Sequence, residues 1–248
     1  SAGRIVVGGT TEVNFNSTWP DFAATRLNDN GSLDTSFGVG GKTFASVNGF
    51  SYDSAVGVAV DSSGRVLVGG SSFFTYDRGY DFAVIRWQAD GTLDAGFGVG
   101  GKTTVNLGPV NHFASGMAYA AGRVLVVGTS NTDRGGTDFA VARLDDGGNL
   151  DGSWGNGGRV TTDLPGPSDD NAYDMTLVQS DGKIVVVGDS SVYGVGGFIT
   201  LTRYNADGSL DGTFGSGGKA TIGVGSGLLA YPGAKAGGGV GRVPPGGF

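Results

Sequence analysis

The amino-acid sequence predicts an all-β repeat protein, and three observations support this prediction. A glycine-rich segment occurs four times along the chain, as GSLDTSFGVGGK, GTLDAGFGVGGK, GNLDGSWGNGGR and GSLDGTFGSGGK. Short runs of Val, Ile, Leu and Phe precede each copy, and no stretch shows the apolar periodicity of a helix. Glycine accounts for 51 of the 248 residues and stands mainly between these runs, which is typical of tight turns.

The spacing of the repeats indicates what each unit builds. Successive copies lie 57 or 60 residues apart. In the unit at 51–107, the sequence predicts four strands, separated by turns with Gly or Asp-Gly and by the glycine-rich loop. These strands are predicted at Ala55–Val60, Arg65–Gly70, Asp81–Trp87 and Lys102–Leu107. Four short antiparallel strands in a unit of this length are typical of a β-propeller blade.

The repeats divide the chain into one predicted domain, residues 1–231, and a tail, residues 232–248. The first copy starts at the second strand of a unit, GRIVVGG, so we expect residues 226–231 to pair with the strand at 4–8 and close a four-bladed ring. An open arc that pairs with another chain is the alternative. The Gly/Pro-rich tail is interpreted as a linker, a poorly ordered end or a docking segment. The predicted blades are 1–47 with 226–231, 51–107, 108–164 and 165–224.

Three positions of the repeat are expected to hold the blades together. The loop aromatic, with the leucine four residues before it (Leu33 in the first copy), is predicted to fill the gap between neighbouring blades. The aspartate after that leucine is predicted to accept backbone N–H groups of its turn. An arginine in the third strand is predicted to pair with this aspartate, because a buried guanidinium needs a carboxylate partner, although four arginines around a channel would also suit an anion. The residues are Phe37, Phe97, Trp154 and Phe214; Asp34, Asp94, Asp151 and Asp211; Arg26, Arg86, Arg143 and Arg203.

The recurring pattern of DFA, an arginine, G-[ST]-L-D-x-x-F-G-x-G-G-K and a strand such as DGKIVVVG resembles the delta-60 repeat family of bacterial β-propeller-like proteins. The resemblance covers about residues 3–222. It implies a propeller-like fold and an exported protein, extracellular or at the cell surface. It implies no established activity, and therefore supplies no catalytic residue. The start at Ser1, without Met, agrees with a removed signal peptide.

Charge and composition narrow the classes of partner. The net charge is −7, which disfavours nucleic acid, because phosphate binding needs clustered Lys and Arg. No apolar run is long enough for a membrane span. There is no cysteine and only one histidine, His112, so disulfides, thiolate metal sites and histidine-based zinc sites are excluded. We expect no cofactor; calcium near Asp90 or Asp207 is an alternative interpretation of the Asp-Gly turns.

Function is predicted at the end of the blades where the loops differ most between copies. Variable loops on a rigid frame commonly bind ligands. The sequence therefore predicts a non-enzymatic binding or scaffold module for a protein or polysaccharide partner, or for a further copy of itself. One alternative is a hydrolase or lyase acting on a polysaccharide through Asp53, Asp77, Asp133, Asp169 or Asp170; another is a subunit docked by the tail. The candidate ligand-binding residues are Trp19, Tyr52, Tyr76, Tyr80 and His112.

Overall fold

A computed structural model describes residues 3–11, 19–49, 51–75, 79–108, 111–132, 135–164, 168–179, 181–192 and 196–223. These residues form strands and turns and contain no helix. The strands fall into four groups that follow the repeats, and each group is called a blade below. The strands are β1 Ile5–Thr10, β2 Phe22–Leu27 and β3 Lys42–Ala45 in blade 1; β4 Asp53–Val60, β5 Val66–Thr75, β6 Gly79–Trp87 and β7 Lys102–Val105 in blade 2; β8 His112–Ala120, β9 Arg123–Asn131, β10 Thr137–Leu144 and β11 Arg159–Thr162 in blade 3; β12 Ser168–Val178, β13 Ile184–Val192, β14 Gly196–Tyr204 and β15 Lys219–Gly223 in blade 4.

Each blade is an antiparallel meander in which consecutive strands pair. In blade 2 the order is β4-β5-β6-β7, as predicted for residues 51–107. The second strand is longer than predicted, because pairing continues past Gly70 as far as Thr75 opposite Gly79. The first strands of blades 2, 3 and 4 each contain a register shift near their start, so all three bend at the same position.

Blade 1 has three described strands, so the strand number differs between blades within the described part of the chain. The residues expected to supply its missing strand, 226–231, lie outside the described part of the chain, as does the tail. Within the described residues the sheets do not close into a ring. Blades 3 and 4 share one sheet, because Thr137 of β10 forms a single parallel bridge with Asp169 of β12.

At each described junction, a hydroxyl group on the second strand of the repeat links its blade to the first strand of the next blade. Thr10 Oγ1 accepts the amide of Ala55 at 2.9 Å, and Ser71 Oγ accepts the amide of Ala114 at 2.7 Å. At the next junction Thr129 Oγ1 accepts the amide of Ala172 at 3.2 Å. The three acceptors occupy equivalent positions of the second strand, so the sequence builds the same hydrogen bond at every described junction.

The hydrophobic core is divided among the junctions, and each loop aromatic lies in one part of it. Phe97 of blade 2 is fully buried against Val124 and Val126 of blade 3. Phe37 packs in the same way on blade 2, and Trp154 packs on blade 4. The aromatics therefore fill the gaps between blades, as predicted. Leu33 was expected to share this role, but it is 40% exposed, whereas the equivalent Leu150 and Leu210 are partly buried against the core.

Phe214, the last of the four loop aromatics, is only half-buried. It belongs to blade 4, after which the described residues contain no further blade. The same side chain in the same loop is thus buried where the next blade covers it and half-buried where no described blade follows. The burial of the ring is therefore determined by the neighbouring blade and not by the loop that carries the ring.

Glycine is required where two loops of adjacent blades meet. The amide of Gly98 donates to the Gly147 carbonyl at 2.7 Å. A Cβ atom on Gly148, whose φ is +81°, would lie 2.7 Å from the Gly98 nitrogen and 2.8 Å from the Phe97 ring. A side chain at Gly148 would therefore have to displace either the backbone or the aromatic ring.

Replacing Phe97 by alanine should lower the free energy of unfolding by about 3–5 kcal/mol, because the ring is fully buried between two blades. Denaturant titration measures the loss. The matched control is Phe214→Ala, which removes the same side chain from a half-buried position and should cost clearly less. Equal losses for the two variants would show that burial by the next blade does not determine the contribution of the ring.

Candidate functional site

The strand register places the loops at two different ends of the blades. In blade 2, Asp53 at the start of β4 lies opposite Ser72 of β5, and Ser72 lies opposite Asp81 of β6. The start of β4, the end of β5, the start of β6 and the end of β7 therefore lie at one end, called the variable-loop end. The turn between β4 and β5 and the glycine-rich loop lie at the other end, called the uniform end.

At the uniform end, each of the four arginines pairs with the aspartate of its own repeat and lies over the loop aromatic. Arg86 pairs with Asp94 at 2.7 Å, as predicted, and its guanidinium lies 4.5 Å from the centre of the Phe97 ring. It also donates to the main-chain carbonyl of Asp146 in blade 3. Arg26, Arg143 and Arg203 repeat the ion pair and the stacking. Since every arginine has a carboxylate partner, the alternative of an open anion site has no support among the described residues.

The aspartates of this unit also hold their own turns, as predicted. Asp34 Oδ1 accepts the Ser36 amide at 3.1 Å, and Asp151 Oδ1 accepts the Ser153 amide at 3.1 Å. A hydrogen bond from the Ser36 hydroxyl, helped by Arg26, lowers the pKa of Asp34 to about 2. The Ser153 hydroxyl, with Arg123 and Arg143, likewise lowers the pKa of Asp151 to about 2. These carboxylates stay ionised over the physiological pH range.

The Asp-Gly turns considered for calcium make internal hydrogen bonds. Asp90 Oδ1 accepts the amide of Thr92 at 2.9 Å and its hydroxyl at 2.7 Å. Asp207 makes the equivalent contacts with Ser209. The hydrogen bonds from Thr92 and Ser209 lower the pKa values of Asp90 and Asp207. Both carboxylates are exposed and stabilise their turns.

At the variable-loop end, aromatic side chains from blades 2 and 3 form a continuous group. The Tyr80 ring of β6 packs at a tilt against Phe73 of β5, with ring centres 5.1 Å apart, and against Phe113 of β8, with ring centres 5.0 Å apart. Tyr52 is adjacent, because its carbonyl accepts the Phe73 amide at 3.0 Å. Tyr52 and Phe113 are 45% and 43% exposed, whereas Phe73 and Tyr80 are half-buried. These four residues are called the aromatic cluster.

The structure brings only part of the predicted binding set together. Tyr52 and Tyr80 lie in the aromatic cluster, and Trp19 is exposed near the start of β2. Tyr76 lies outside the described residues. Phe113 was missed, because its alternation in HFASGMAYA does not distinguish the exposed face of an inner strand from the buried one. The stacking across two blades becomes visible only in three dimensions.

His112 is not at the surface, although the sequence placed it among the candidate ligand-binding residues. It begins β8 and is fully buried. Its Nδ1 lies 3.0 Å from Ser130 Oγ and its Nε2 lies 3.3 Å from the Gly108 carbonyl. Burial lowers the pKa of this imidazole, which favours its neutral form. His112 thus links the start of β8 to β9 and to the segment that precedes β8.

The acids considered for catalysis are not assembled into an exposed pair in the described structure. Asp53 and Asp170 are fully buried, and Asp169 is exposed. Asp77 and Asp133 lie outside the described residues. Asp53 is bound by the Val47 amide at 2.9 Å and by the Ser72 hydroxyl at 2.6 Å, which is the environment of a structural carboxylate.

Replacing Asp151 by asparagine should reduce stability by about 1 kcal/mol at neutral pH, a value set below the full pKa shift to allow for solvent screening. The folded-state pKa near 2 lies below the ordinary value of 3.8, so the stabilisation is present above about pH 4 and disappears as the pH falls through 2. Urea titrations from pH 2 to pH 7 measure it. Asp29→Asn, at an exposed turn, is the control; a difference from wild type that is independent of pH would contradict the ion pair.

Comparison with known proteins agrees with this geometry. No curated protein matches the chain. A family model described as a β-propeller domain of unknown function (DUF5122) matches residues 3–37, 62–97, 122–153 and 179–214, together more than half of the chain. Each match runs from the start of the second strand, or the turn before it, to the glycine-rich loop, which contains the repeated arginine and aspartate. No described residue lies in a helix that could cross a membrane. The chain therefore belongs to this family of repeat β-propellers, in agreement with its resemblance to the delta-60 repeats.

Proposed function

We propose that the protein is an exported, non-enzymatic binding or scaffold module that contacts its partner with the variable-loop end. The observation that supports this proposal is the aromatic cluster. Tyr52 and Phe113 are both largely exposed; the Phe113 ring packs on Tyr80, which packs on Phe73, and the Tyr52 backbone is hydrogen-bonded to Phe73. Aromatic rings that pack against each other on a β-frame form a rigid surface that loses little conformational entropy on binding.

The chemistry of the cluster suits a polysaccharide or a protein surface. Aromatic rings stack on the apolar faces of sugar rings, and Tyr and Phe are also enriched in the centres of protein interfaces. The uniform end is a poorer candidate, because its repeated arginines and aspartates bind each other and the neighbouring blade. Export is inferred from the resemblance to the delta-60 repeat family.

A carboxylate-based hydrolase or lyase has no comparable support. Of the described acids considered for catalysis, Asp53 and Asp170 are buried, and Asp169 forms the bridge between blades 3 and 4. No pair of exposed carboxyl groups flanks the aromatic cluster among the described residues. The binding function therefore remains the proposal.

The double variant Tyr52→Ser, Phe113→Ser should lose binding while its free energy of unfolding changes by no more than about 1 kcal/mol, because both side chains are largely exposed. A glycan array and a pull-down from surface extracts measure binding, and a melting curve measures stability. Phe44→Ser is the matched control, since it removes an exposed aromatic from blade 1. Retained binding together with a collapsed melting temperature would make the cluster part of the core.

We also propose that the open edge of blade 1 is completed by a strand, with residues 226–231 as the first candidate. β1 has a partner on one side only among the described strands, and Ile5 and Val7 are about half exposed. Between β1 and β4 lies an open cleft lined by Val6, Val58 and Val60 and by polar residues that include Arg4, Arg26 and Asp61. Unpaired edges with apolar neighbours recruit further strands.

Truncation after Gly223 should lower stability and cause self-association, because the edge of β1 would then be left without its proposed partner. The matched control removes only residues 232–248 and should behave as the full chain. Sedimentation velocity and thermal melting distinguish the two. A chain ending at Gly223 that stays monomeric and equally stable would contradict closure by 226–231.

A further inference from the structure

The three described junctions between blades contain the same three polar positions. The first position directly precedes the phenylalanine that begins the buried part of the third strand of the repeat, which is β2, β6 or β10. The second position directly follows the fourth strand of the repeat, which is β3, β7 or β11. The third position lies on the first strand of the next blade, opposite a serine of its second strand. The residues are Asp21, Ser46 and Asp53 at the first junction; Asp81, Asn106 and His112 at the second; and Asp138, Asp163 and Asp170 at the third.

At the second junction, hydrogen bonds within the protein satisfy the polar groups that occupy these positions. Asn106 Nδ2 donates to Asp81 Oδ1 at 2.8 Å, and the His112 ring contacts Ser130 and the Gly108 carbonyl. A single carboxylate therefore faces an amide and an imidazole. This junction has neither the charge nor the free oxygen atoms that a cation needs.

The first junction has two carboxylates, and its second position is the neutral Ser46. Both oxygens of Asp53 are hydrogen-bonded, one by the Val47 amide and the other by the Ser72 hydroxyl. Asp21 retains one buried oxygen without a described partner. With only two acids, one of them fully engaged, this junction offers too few ligands for a cation site.

The third junction differs because all three positions are aspartates. One carboxylate oxygen from each of Asp138, Asp163 and Asp170 lies within 4.8 Å of the other two. Oxygens that bind one Ca²⁺ at about 2.3–2.6 Å can be no farther apart than about 5 Å. The three carboxylates are thus already close enough to share one ion.

A second observation, independent of the clustering, comes from Asp170. Its side chain is fully buried; Oδ2 accepts the Leu164 amide at 2.8 Å, while Oδ1 receives no hydrogen bond from any described residue. Ser190 occupies the position from which Ser72 donates to Asp53, yet it does not satisfy this oxygen. A buried carboxylate oxygen without a partner is costly unless a donor or a cation completes it.

The local charge agrees with a divalent cation. Three carboxylates carry a formal charge of −3, and Lys219 contributes +1, because its Nζ donates to the main-chain carbonyl of Asp163 at 2.6 Å. One divalent cation would balance the remaining charge of −2. Asp163 is exposed, so solvent and ions reach the cluster from its side.

We propose that Asp138, Asp163 and Asp170 form a calcium site that joins blade 3 to blade 4. Hard carboxylate oxygens prefer Ca²⁺ or Mg²⁺, and the wider spacing that calcium accepts suits ligands from different strands. The site lies directly beside the single bridge between Thr137 and Asp169, where the two blades share a sheet. Bound calcium would remove the repulsion among the three carboxylates and stabilise this junction. The proposal does not depend on the binding function of the aromatic cluster.

The test uses the full chain, treated with chelator and titrated with CaCl₂ by calorimetry and by thermal melting. We expect a dissociation constant of about 10⁻⁴–10⁻³ M, the range of extracellular calcium-binding modules, and a melting temperature that rises with calcium concentration. Asp163→Asn places at the third junction the residue type of Asn106 and should weaken calcium binding roughly tenfold or more, because it removes one charged ligand.

Asp163 is exposed, so this variant should fold, and its circular dichroism spectrum checks that it does. Asp169→Asn is the matched control; it removes a neighbouring exposed charge and should bind calcium as the wild type does. Equal calcium affinity in wild type and Asp163→Asn would overturn the proposal. So would the lack of any calcium-dependent rise in melting temperature, or equal affinity for Ca²⁺ and Mg²⁺.

Discussion

The burial of one blade's loop aromatic by the next blade is the constraint on which the rest of the structure depends. Phe97 projects from the glycine-rich loop and becomes buried only because β9 and β10 of blade 3 cover it. A single blade exposes this ring and cannot form a complete core by itself. The stability of the protein is therefore distributed over the junctions, and neighbouring blades should fold cooperatively.

The arginine, the aspartate and the glycines of the repeat follow from this constraint. Arg86 covers the second face of the Phe97 ring, and Asp94 neutralises the arginine in a position where solvent is largely excluded. Gly98 and Gly148 allow the two backbones to approach closely enough for a hydrogen bond. Because these contacts use the whole uniform end, sequence variation is tolerated mainly at the opposite end, where the aromatic cluster lies.

The fold could be predicted from the sequence wherever the determining contacts lie within one repeat. Arg86 and Asp94 are eight residues apart and occur in every copy, so both the ion pair and the meander were predictable. The burial of His112 and the position of Phe113 were not, because they depend on how one blade faces another. Asp138, Asp163 and Asp170 are also far apart in sequence, and only the strand register brings them together. The number of strands in blade 1 depends on which segment pairs with the open edge of β1, and the repeat pattern does not specify that segment.

The half-buried Phe214 shows that the contacts between blades run in one direction along the chain. The loop aromatic, the arginine and the loop amide of one blade contact the following blade, which receives them at a turn such as Asp90-Gly91. At the last described blade the Gly215 amide has no described acceptor, and no described blade covers the Phe214 ring. At the first blade, the corresponding turn glycine, Gly31, has nothing within 4 Å of its Cβ position. The first and last described blades thus carry the two different, complementary halves of the same contact. Contacts of this kind form a ring when the rotation between units closes and a filament when it does not, so the angle between blades decides the size of the particle.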